Sequence, residues 1–356
     1  RCKDNYLGDF MKISIVVATY NGEKFIEEQL NSLVNQTVMP DEIVISDDNS
    51  TDSTVDICRK FKNKSTVEVK IFNNKNYHGV TGNFENAAKN ATGNIVFFSD
   101  QDDVWYENKI EETLKAFQNY PTCVGVFSNA DCVDVNLNKL GATFNDSCWP
   151  KFKFLPFKED MYLLKSEKYL KSAIAGNILG GCCLAIKNHY LKEMFDFCPY
   201  TYHDNWLSYC MLALGDAVAI NKSLFAYRLH GNNTVGCNNL LSNRKGLYKN
   251  FIKFKNRVKN CKKIYVDEAE RAIYLKNFAD KHNVTNRALD YQQNLVRKKV
   301  EAATKSKISG IKMLNTIMSE LGQKYTNDHI FQSLYIVLNS KKKRNKDLQK
   351  HVDIFI

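Results

Sequence analysis

The sequence is poor in proline and has no long apolar run. Its 356 residues hold five prolines, none beyond Pro199, and 16 glycines, of which only Gly246, Gly310 and Gly322 lie beyond Gly236. That composition excludes a collagen-like fibre and a Pro/Gly-rich low-complexity chain. The most apolar runs are Ile13–Ala18, Leu179–Ile186 and Cys210–Leu214. They fall far short of the ~18 consecutive apolar residues that a membrane-spanning helix needs. No basic start followed by an apolar stretch is present, so no signal peptide is expected. The glycine fingerprint GxGxxG is missing, which disfavours a nicotinamide enzyme. No CxxC pair occurs among the eleven cysteines, so the paired spacing of a zinc site is missing as well. The cysteine number is odd; Cys182 and Cys183 lie inside an apolar run, and Cys58, Cys123, Cys132 and Cys210 have core-like neighbours. These read as buried free thiols of a reducing, cytosolic protein.

What is present is a globular composition, 44% apolar and 25% charged, in a chain long enough for one large domain or two ordinary ones. The net charge of +11 is lopsided. Residues 240–356 carry 26 of the 50 Lys+Arg but only 10 of the 39 Asp+Glu, so the first 239 residues are net acidic. Two regions with different partners are expected.

Residues 1–10 look foreign, a leader or a remnant of expression, because Met11 is followed at once by a strand pattern. Strands are expected at Ile13–Ala18, Glu42–Ser46, Val67–Phe72 and Ile95–Ser99. Between them, Ile26, Leu30, Leu33 and Val34 share one helical face, and Thr54–Phe61 and Phe84–Asn90 continue the alternation. Such alternation predicts a parallel sheet covered by helices on both faces. Val124–Ser128 and Cys182–Ile186 read as further strands, and the aromatic stretch 144–158, with Pro150 and Pro156, as a loop. The last ~115 residues keep helical spacing, as at Ile311, Leu314, Met318 and Leu321. The expected organisation is therefore 11–240 as an α/β domain and 241–356 as a basic helical region.

In parallel sheets, ligands bind outside the carboxyl ends of the strands. There the first strand is followed by Thr19-Tyr20-Asn21-Gly22, the second by Asp47-Asp48-Asn49-Ser50-Thr51-Asp52, and the fourth by Asp100-Gln101-Asp102-Asp103. Three carboxylates within four residues repel one another and are best tolerated around a cation, with Mg²⁺ or Mn²⁺ the natural guests of oxygen ligands. A carboxylate at the end of the second strand is suited to accept hydrogen bonds from a base or ribose, and Asp52 reads as a helix cap.

These motifs, in this order, resemble glycosyltransferase family 2, the inverting sugar transferases of GT-A fold, and in particular its bacterial rhamnosyltransferase-like members. Ser14–Gly22 looks like that family's first strand and nucleotide loop, and Ile45–Asp52 like its second. Asn83-Phe84-Glu85 with Ala91-Thr92-Gly93 resembles the lead into the metal motif, and Ser99-Asp100-Gln101-Asp102-Asp103-Val104-Trp105 the motif itself. His203-Asp204-Asn205-Trp206 resembles the catalytic-base segment, and Tyr227–Asn233 the segment that closes the donor site. The resemblance spans roughly 12–236.

The resemblance implies a Rossmann-like, mostly parallel sheet flanked by helices, and these roles. Ala18, Thr19, Tyr20, Asn21, Asp47, Asp48, Asp100 and Gln101 would form the nucleotide site, with either Asp47 or Asp48 on the base and Asp100 near the ribose. Asp102 and His230 would hold Mg²⁺ or Mn²⁺, and Arg228 would meet the diphosphate. Asp204 would be the general base, its basicity raised by Tyr200, Tyr202 and Trp206. Asn177, Gly180, Gly181, Asp103, Trp105, His203 and Trp206 would approach the donor or acceptor sugar. In one departure, Gly79–Asn83 lacks the cation that many relatives carry after the third strand.

The expected activity is metal-dependent, inverting transfer from a UDP- or dTDP-sugar, with dTDP-rhamnose preferred, to a saccharide or lipid-linked acceptor of a bacterial surface polysaccharide. The competing readings are a sugar-phosphate nucleotidylyltransferase, which needs an Arg/Lys-bearing glycine loop after the first strand, and a non-catalytic carbohydrate-binding relative. Lys253–Lys263 and Lys341–Arg344 suit docking on anionic lipid, which would make the protein peripheral on the inner membrane face. A homo-oligomer built by these helices is the competing use of the tail, and nucleic acid is not expected as a partner.

Overall fold

Ile13–Thr19 (β1) is buried along its whole length, as a strand covered on both faces must be. It pairs in parallel with Glu42–Asp47 (β2) on one side and Ile95–Asp100 (β4) on the other, and β2 pairs in parallel with the edge strand Glu68–Asn73 (β3). Three helices make the crossovers: Ile26–Val34 (α1), Thr54–Lys64 (α2) and Val80–Lys89 (α3). This half follows the expected alternation, with element bounds that differ from the expected ones by at most four residues. The computed structural model describes residues 11–75, 77–143, 159–175, 179–231 and 233, and in the last third residues 267, 270–285, 290 and 294.

Beyond β4 the sheet becomes mixed. Val104–Trp105 (β5), Lys109–Asn119 (α4), Gly125–Val133 (β6), Lys139–Thr143 (β7), Met161–Leu164 (β8) and Ser166–Ala175 (α5) come first. Leu184–Lys187 (β9), Asn188–Glu193 (α6), His203–Leu214 (α7) and Ala217–Arg228 (β10) complete the series. The strand order is β3-β2-β1-β4-β9-β6-β10-β5, with β7 beside β6 and β8 beside β10. β9 runs antiparallel to both β4 and β6, while β10 lies parallel to β6. The sequence reading began a strand at Cys182. Instead Gly181–Cys183 forms a 3-10 turn, with Cys183 N and Sγ both donating to Gly180 O, and the strand starts at Leu184.

The core holds the β-branched and aromatic residues of β1, β2, β4, β6 and β10. It also holds Cys58, Cys123, Cys132, Cys182, Cys183, Cys198 and Cys210, all free and buried. The chain divides into two units, 1–242 and 243–356. Within the second, residues 270–281 are helical, and Ala272, Leu275, Phe278 and Ala279 bury one face of that helix. Residues 1–10, the stretch 144–158, Asn177 and the two lysine-rich runs lie outside the described residues. Among the described residues no helix is long and apolar enough to cross a membrane.

Glu42, at the start of β2, ties three neighbouring segments together. Its carboxylate accepts from Ser14 Oγ at 2.5 Å, Lys70 Nζ at 2.6 Å and Thr92 N at 2.6 Å. Burial opposes its charge, but the bonds from Lys70, Ser14 and Thr92 outweigh burial and hold the carboxyl at about 2 instead of 4.5. A carboxyl depressed by folding stabilises above its unfolded pKa and loses that stabilisation as pH falls towards the folded value. Glu42→Gln is therefore expected to destabilise by about 3 kcal/mol at pH 7. Urea midpoints should converge with the parent's between pH 4.5 and 2; a difference independent of pH would refute the ion-pair account.

Candidate active site

The loops after β1 and β2 are zipped together by their own polar side chains. Thr19 Oγ1 donates to Asp47 Oδ1 at 2.8 Å, and Asp47 also accepts from Ser50 N and Ser50 Oγ. Asn21, in a left-handed conformation at φ 47°, donates its N–H to Ser50 Oγ and accepts from Thr51 N. Gly22 N donates to Thr54 Oγ1, Glu23 N donates to the Asp52 carboxylate, and the Glu23 carboxylate accepts from Ser53 N. Asp52 accepts from Thr54 N, so it braces the entry to α2.

Gln101 clamps this assembly from β4. Its amide oxygen accepts from Tyr20 N at 2.9 Å and its amide nitrogen donates to Tyr20 O at 3.0 Å. A Cβ at Gly22 would stand 2.2 Å from Gln101 Oε1, which is why the loop needs glycine there. Ala18 is buried and pairs with Ser46 and Asp100, while Tyr20 stays 56% exposed. Asp47 and Asp48 part company here. Asp47 is spent on Thr19 and Ser50. Asp48 accepts from Asn74 Nδ2 and Gly79 N and pairs with His78 Nδ1 at 3.1 Å. His78 is an exposed imidazole immediately before the stretch that carries no other cation.

At the end of β4, Asp102 Oδ2 lies 2.8 Å from His230 Nε2, joining residues 128 positions apart. The imidazole stacks on Phe25 at 4.9 Å. Asn233 fixes the turn by accepting from His230 N and donating to Arg228 O. Asp100, half-buried, accepts from the Cys182 thiol. Burial raises its pKa, and the charges of Asp102 and Asp204 push further, to about 7. Asp103 is fully buried, accepts from Arg228 N at 3.2 Å, and is driven well above the ordinary carboxylate range by burial and by Asp102 and Asp100.

Asp100, Asp103 and Cys182 are close enough to share an ion. Burial and the two aspartates raise the Cys182 thiol well above its usual value, so it serves as a hydrogen-bond donor here. Asp102 and His230, half-buried beside them, present one carboxylate oxygen and one imidazole nitrogen 2.8 Å apart.

Several residues implied by the resemblance occupy other places. Arg228 is buried: Nε donates to Asp102 O, one terminal nitrogen to Val135 O and the other to Glu28. Its guanidinium braces the acidic turn from behind and is not presented to a diphosphate. Trp105 is buried against Phe97 and Lys109, and Trp206 donates Nε1 to Met194 O inside the core, so neither offers a face to a sugar. His203 is buried against Phe84 and Phe98, and burial pushes its pKa down to about 3, leaving a neutral spacer. Gly180 and Gly181 are buried below the edge, with Gly181 against the His203 ring. Asp103 likewise acts from the interior.

Asp204 is brought to the site. It is the second residue of α7, lies within electrostatic range of Asp100, and accepts from Asn205 N. Asp204 is buried, while Tyr200 is 39% and Tyr202 46% exposed.

Sequence reasoning missed Lys109. It is buried beneath the cluster, donates to Cys182 O at 3.1 Å, sits 3.9 Å from the Phe225 ring centre, and burial lowers its pKa to about 8. A lysine at the first position of a helix after an acidic turn looks like surface charge, and only its apolar neighbours across the sheet mark it as interior.

A family model for glycosyl transferase family 2 matches residues 14–193. A protein from a Nostoc species described as an uncharacterized glycosyltransferase is 29% identical over 226 residues, 63% of this chain and 66% of its own length. The dTDP-rhamnosyl transferase RfbG of Shigella flexneri is 30% identical over 237 residues, 62% of this chain and 74% of its own. Among solved structures, Staphylococcus aureus TarS 1–349 in complex with UDP superposes with a TM-score of 0.51 at 18% identity, covering 92% of this chain and 89% of that one. The likeness extends to the fold.

The packing of Gly181 on His203 generates a stability test. A Cβ at Gly181 would stand 2.1 Å from His203 Nε2, and that ring is already packed against Phe84 at 4.1 Å. Gly181→Ala is expected to cost about 1–3 kcal/mol. In a double-mutant cycle with His203→Ala, measured by denaturant unfolding, part of that loss should be recovered. Strict additivity would show that the two residues do not press on each other.

Proposed function

The chain belongs to glycosyl transferase family 2, and from that premise we propose that it moves a sugar from a UDP- or dTDP-sugar to a saccharide or lipid-linked acceptor, with inversion, in building a bacterial surface polysaccharide. The observation that carries this reading is the convergence of Asp102, His230 and Asp204 at the carboxyl edge of the sheet, beside the zipped β1 and β2 loops. Similarity to RfbG favours dTDP-rhamnose as donor. Family membership makes the chain a glycosyltransferase, which disfavours the nucleotidylyltransferase and the non-catalytic binder.

Asp102 and His230 would hold Mg²⁺ or Mn²⁺, and such an ion, when bound, offsets the negative charge that grows on the leaving diphosphate. Arg228 fixes the Asp102 main chain and, through its own backbone N–H, the neighbouring Asp103. The Tyr20–Gly22 backbone, set by Gln101 and Ser50, cradles the nucleotide base. Asp204 takes the proton of the acceptor hydroxyl as it attacks the anomeric carbon from the side opposite the diphosphate, and this direction of attack inverts the centre.

Two measurements test the reading. Asp102→Ala is expected to abolish turnover while leaving the thermal midpoint within a few degrees of the parent, and excess EDTA should silence the parent; full activity in EDTA would remove the ion from the mechanism. Asp204→Asn is expected to lower kcat by about 10²–10⁴. The Kd for UDP, measured by calorimetry, should change less than about threefold, because the loss belongs to the transition state. Near-parental turnover would move the base elsewhere, though not to Asp131, which is held by Lys139 and Tyr106.

A further inference from the structure

Among the described residues, seven large apolar side chains are exposed, and four are tyrosines on loops around the candidate site: Tyr20, Tyr77, Tyr200 and Tyr202. The last two precede Asp204 by four and two residues. An exposed aromatic on a loose loop carries little information, but this loop is held fast. Glu85 Oε1 accepts from Asp196 N at 2.7 Å and Phe197 N at 3.0 Å, and Tyr77 Oη donates to Phe197 O at 3.1 Å. Thr81 Oγ1 donates to Thr201 O at 3.0 Å, and Asn205 Nδ2 to Thr201 Oγ1 at 2.9 Å. Buried Cys198 anchors one end of the arch and buried His203 the other. Between these anchors Tyr200 is 39% exposed and Tyr202 46%. Both tyrosines are thus kept partly exposed on a pinned backbone, although buried residues stand at either end.

We propose that Tyr200 and Tyr202 form the platform on which a pyranose ring of the acceptor saccharide stacks beside Asp204. This rests on the reading of Asp204 as the base. A hydroxyl that gives its proton to Asp204 must come within about 2.6–3.2 Å of that carboxylate, so the ring bearing it lies over residues 200–204. A sugar ring has an apolar C–H face and a polar rim, and tyrosine offers an apolar face with a hydroxyl at its tip. A tyrosine has two side-chain torsions, and the arch is already ordered, so little conformational freedom is lost on binding. The two tryptophans expected near the sugars, Trp105 and Trp206, are committed to the core. Two partly exposed rings are also far smaller than the ~800 Å² per partner of a stable protein interface, which favours a sugar over a second copy of the chain.

The test is saturation-transfer NMR with the methyl glycosides of glucose, galactose, N-acetylglucosamine and rhamnose, recorded on the full chain with UDP and Mn²⁺ present. At least one glycoside should respond with the parent. The response should fall at least tenfold in the double variant Tyr200→Ala/Tyr202→Ala and persist in Tyr200→Phe/Tyr202→Phe. Calorimetric UDP affinity should be the same in all three proteins, which also shows that the variants are folded. Unchanged glycoside binding by the alanine variant, or no response from the parent, overturns the platform while UDP binding leaves the transferase reading standing. Failure of the parent to bind UDP or dTDP overturns both. A parent dimer that becomes a monomer in the alanine variant, with an unaltered glycoside response, assigns the rings to self-association and also overturns the proposal.

Discussion

Like-charge repulsion at the end of β4 is the constraint around which this molecule is arranged. Two unit charges 4 Å apart cost about 4 kcal/mol at the effective dielectric of a protein surface, and Asp100, Asp102 and Asp103 lie within four residues, with Asp204 in electrostatic range. The fold answers each in a different way. Cys182 donates to Asp100, Arg228 N to Asp103, His230 faces Asp102, and Lys109 lies buried below. These partners come from the turn before β9, the end of β10 and the start of α4, so the acidic segment determines which distant pieces of chain must meet. Burial first, and then the charges of Asp102 and Asp204, raise Asp100 to about 7 with these partners in place.

The residues around the site divide by depth. Asp102, His230 and Tyr20 keep part of their surface exposed, Asp204 is buried close to them, and Arg228, His203, Trp206 and Lys109 lie in the interior. Arg228 shows why charge alone is a poor guide to role. Its guanidinium reaches Asp102 O, Val135 O and Glu28 and lies 4.9 Å from the Phe25 ring centre, the same ring that stacks on His230. It therefore holds α1 to the turn at 228–230. His203 supports by shape, as a neutral imidazole filling the space that Gly181 leaves.

The first half of the fold was legible because β1, β2 and β4 are runs of apolar residues that stop abruptly at Thr19, Asp47 and Asp100. Parallel strands buried on both faces produce that signal and place its end at the ligand edge. The second half was less legible. In β10 the polar stretch Asn221-Lys222-Ser223 interrupts the apolar pattern, and there the pairing with β6 shifts register, so the strand reads as two fragments. The pairing of Asp102 with His230 came from motif order, since no periodicity links residues so far apart. The burial of Trp206 and His203 was not legible because α7 is apolar around most of its circumference and shows no polar stripe to orient it.

The position of β10 also fixes a timetable for synthesis. This strand is inserted between β6 and β5, and it ends in the arginine that braces Asp102 and Asp103. As the chain leaves the ribosome from its amino end, the acidic segment emerges some 125 residues before that brace. Through that interval β5 has no neighbour to pair with, and the carboxylates have neither His230 nor Arg228. The half built on β1–β4 can fold early on its local crossovers, whereas the acidic edge is a late, long-range assembly of the kind that forms slowly. A nascent chain stalled between residues 110 and 228 would thus hold the clamped β1 and β2 loops without the groups that Arg228 and His230 supply.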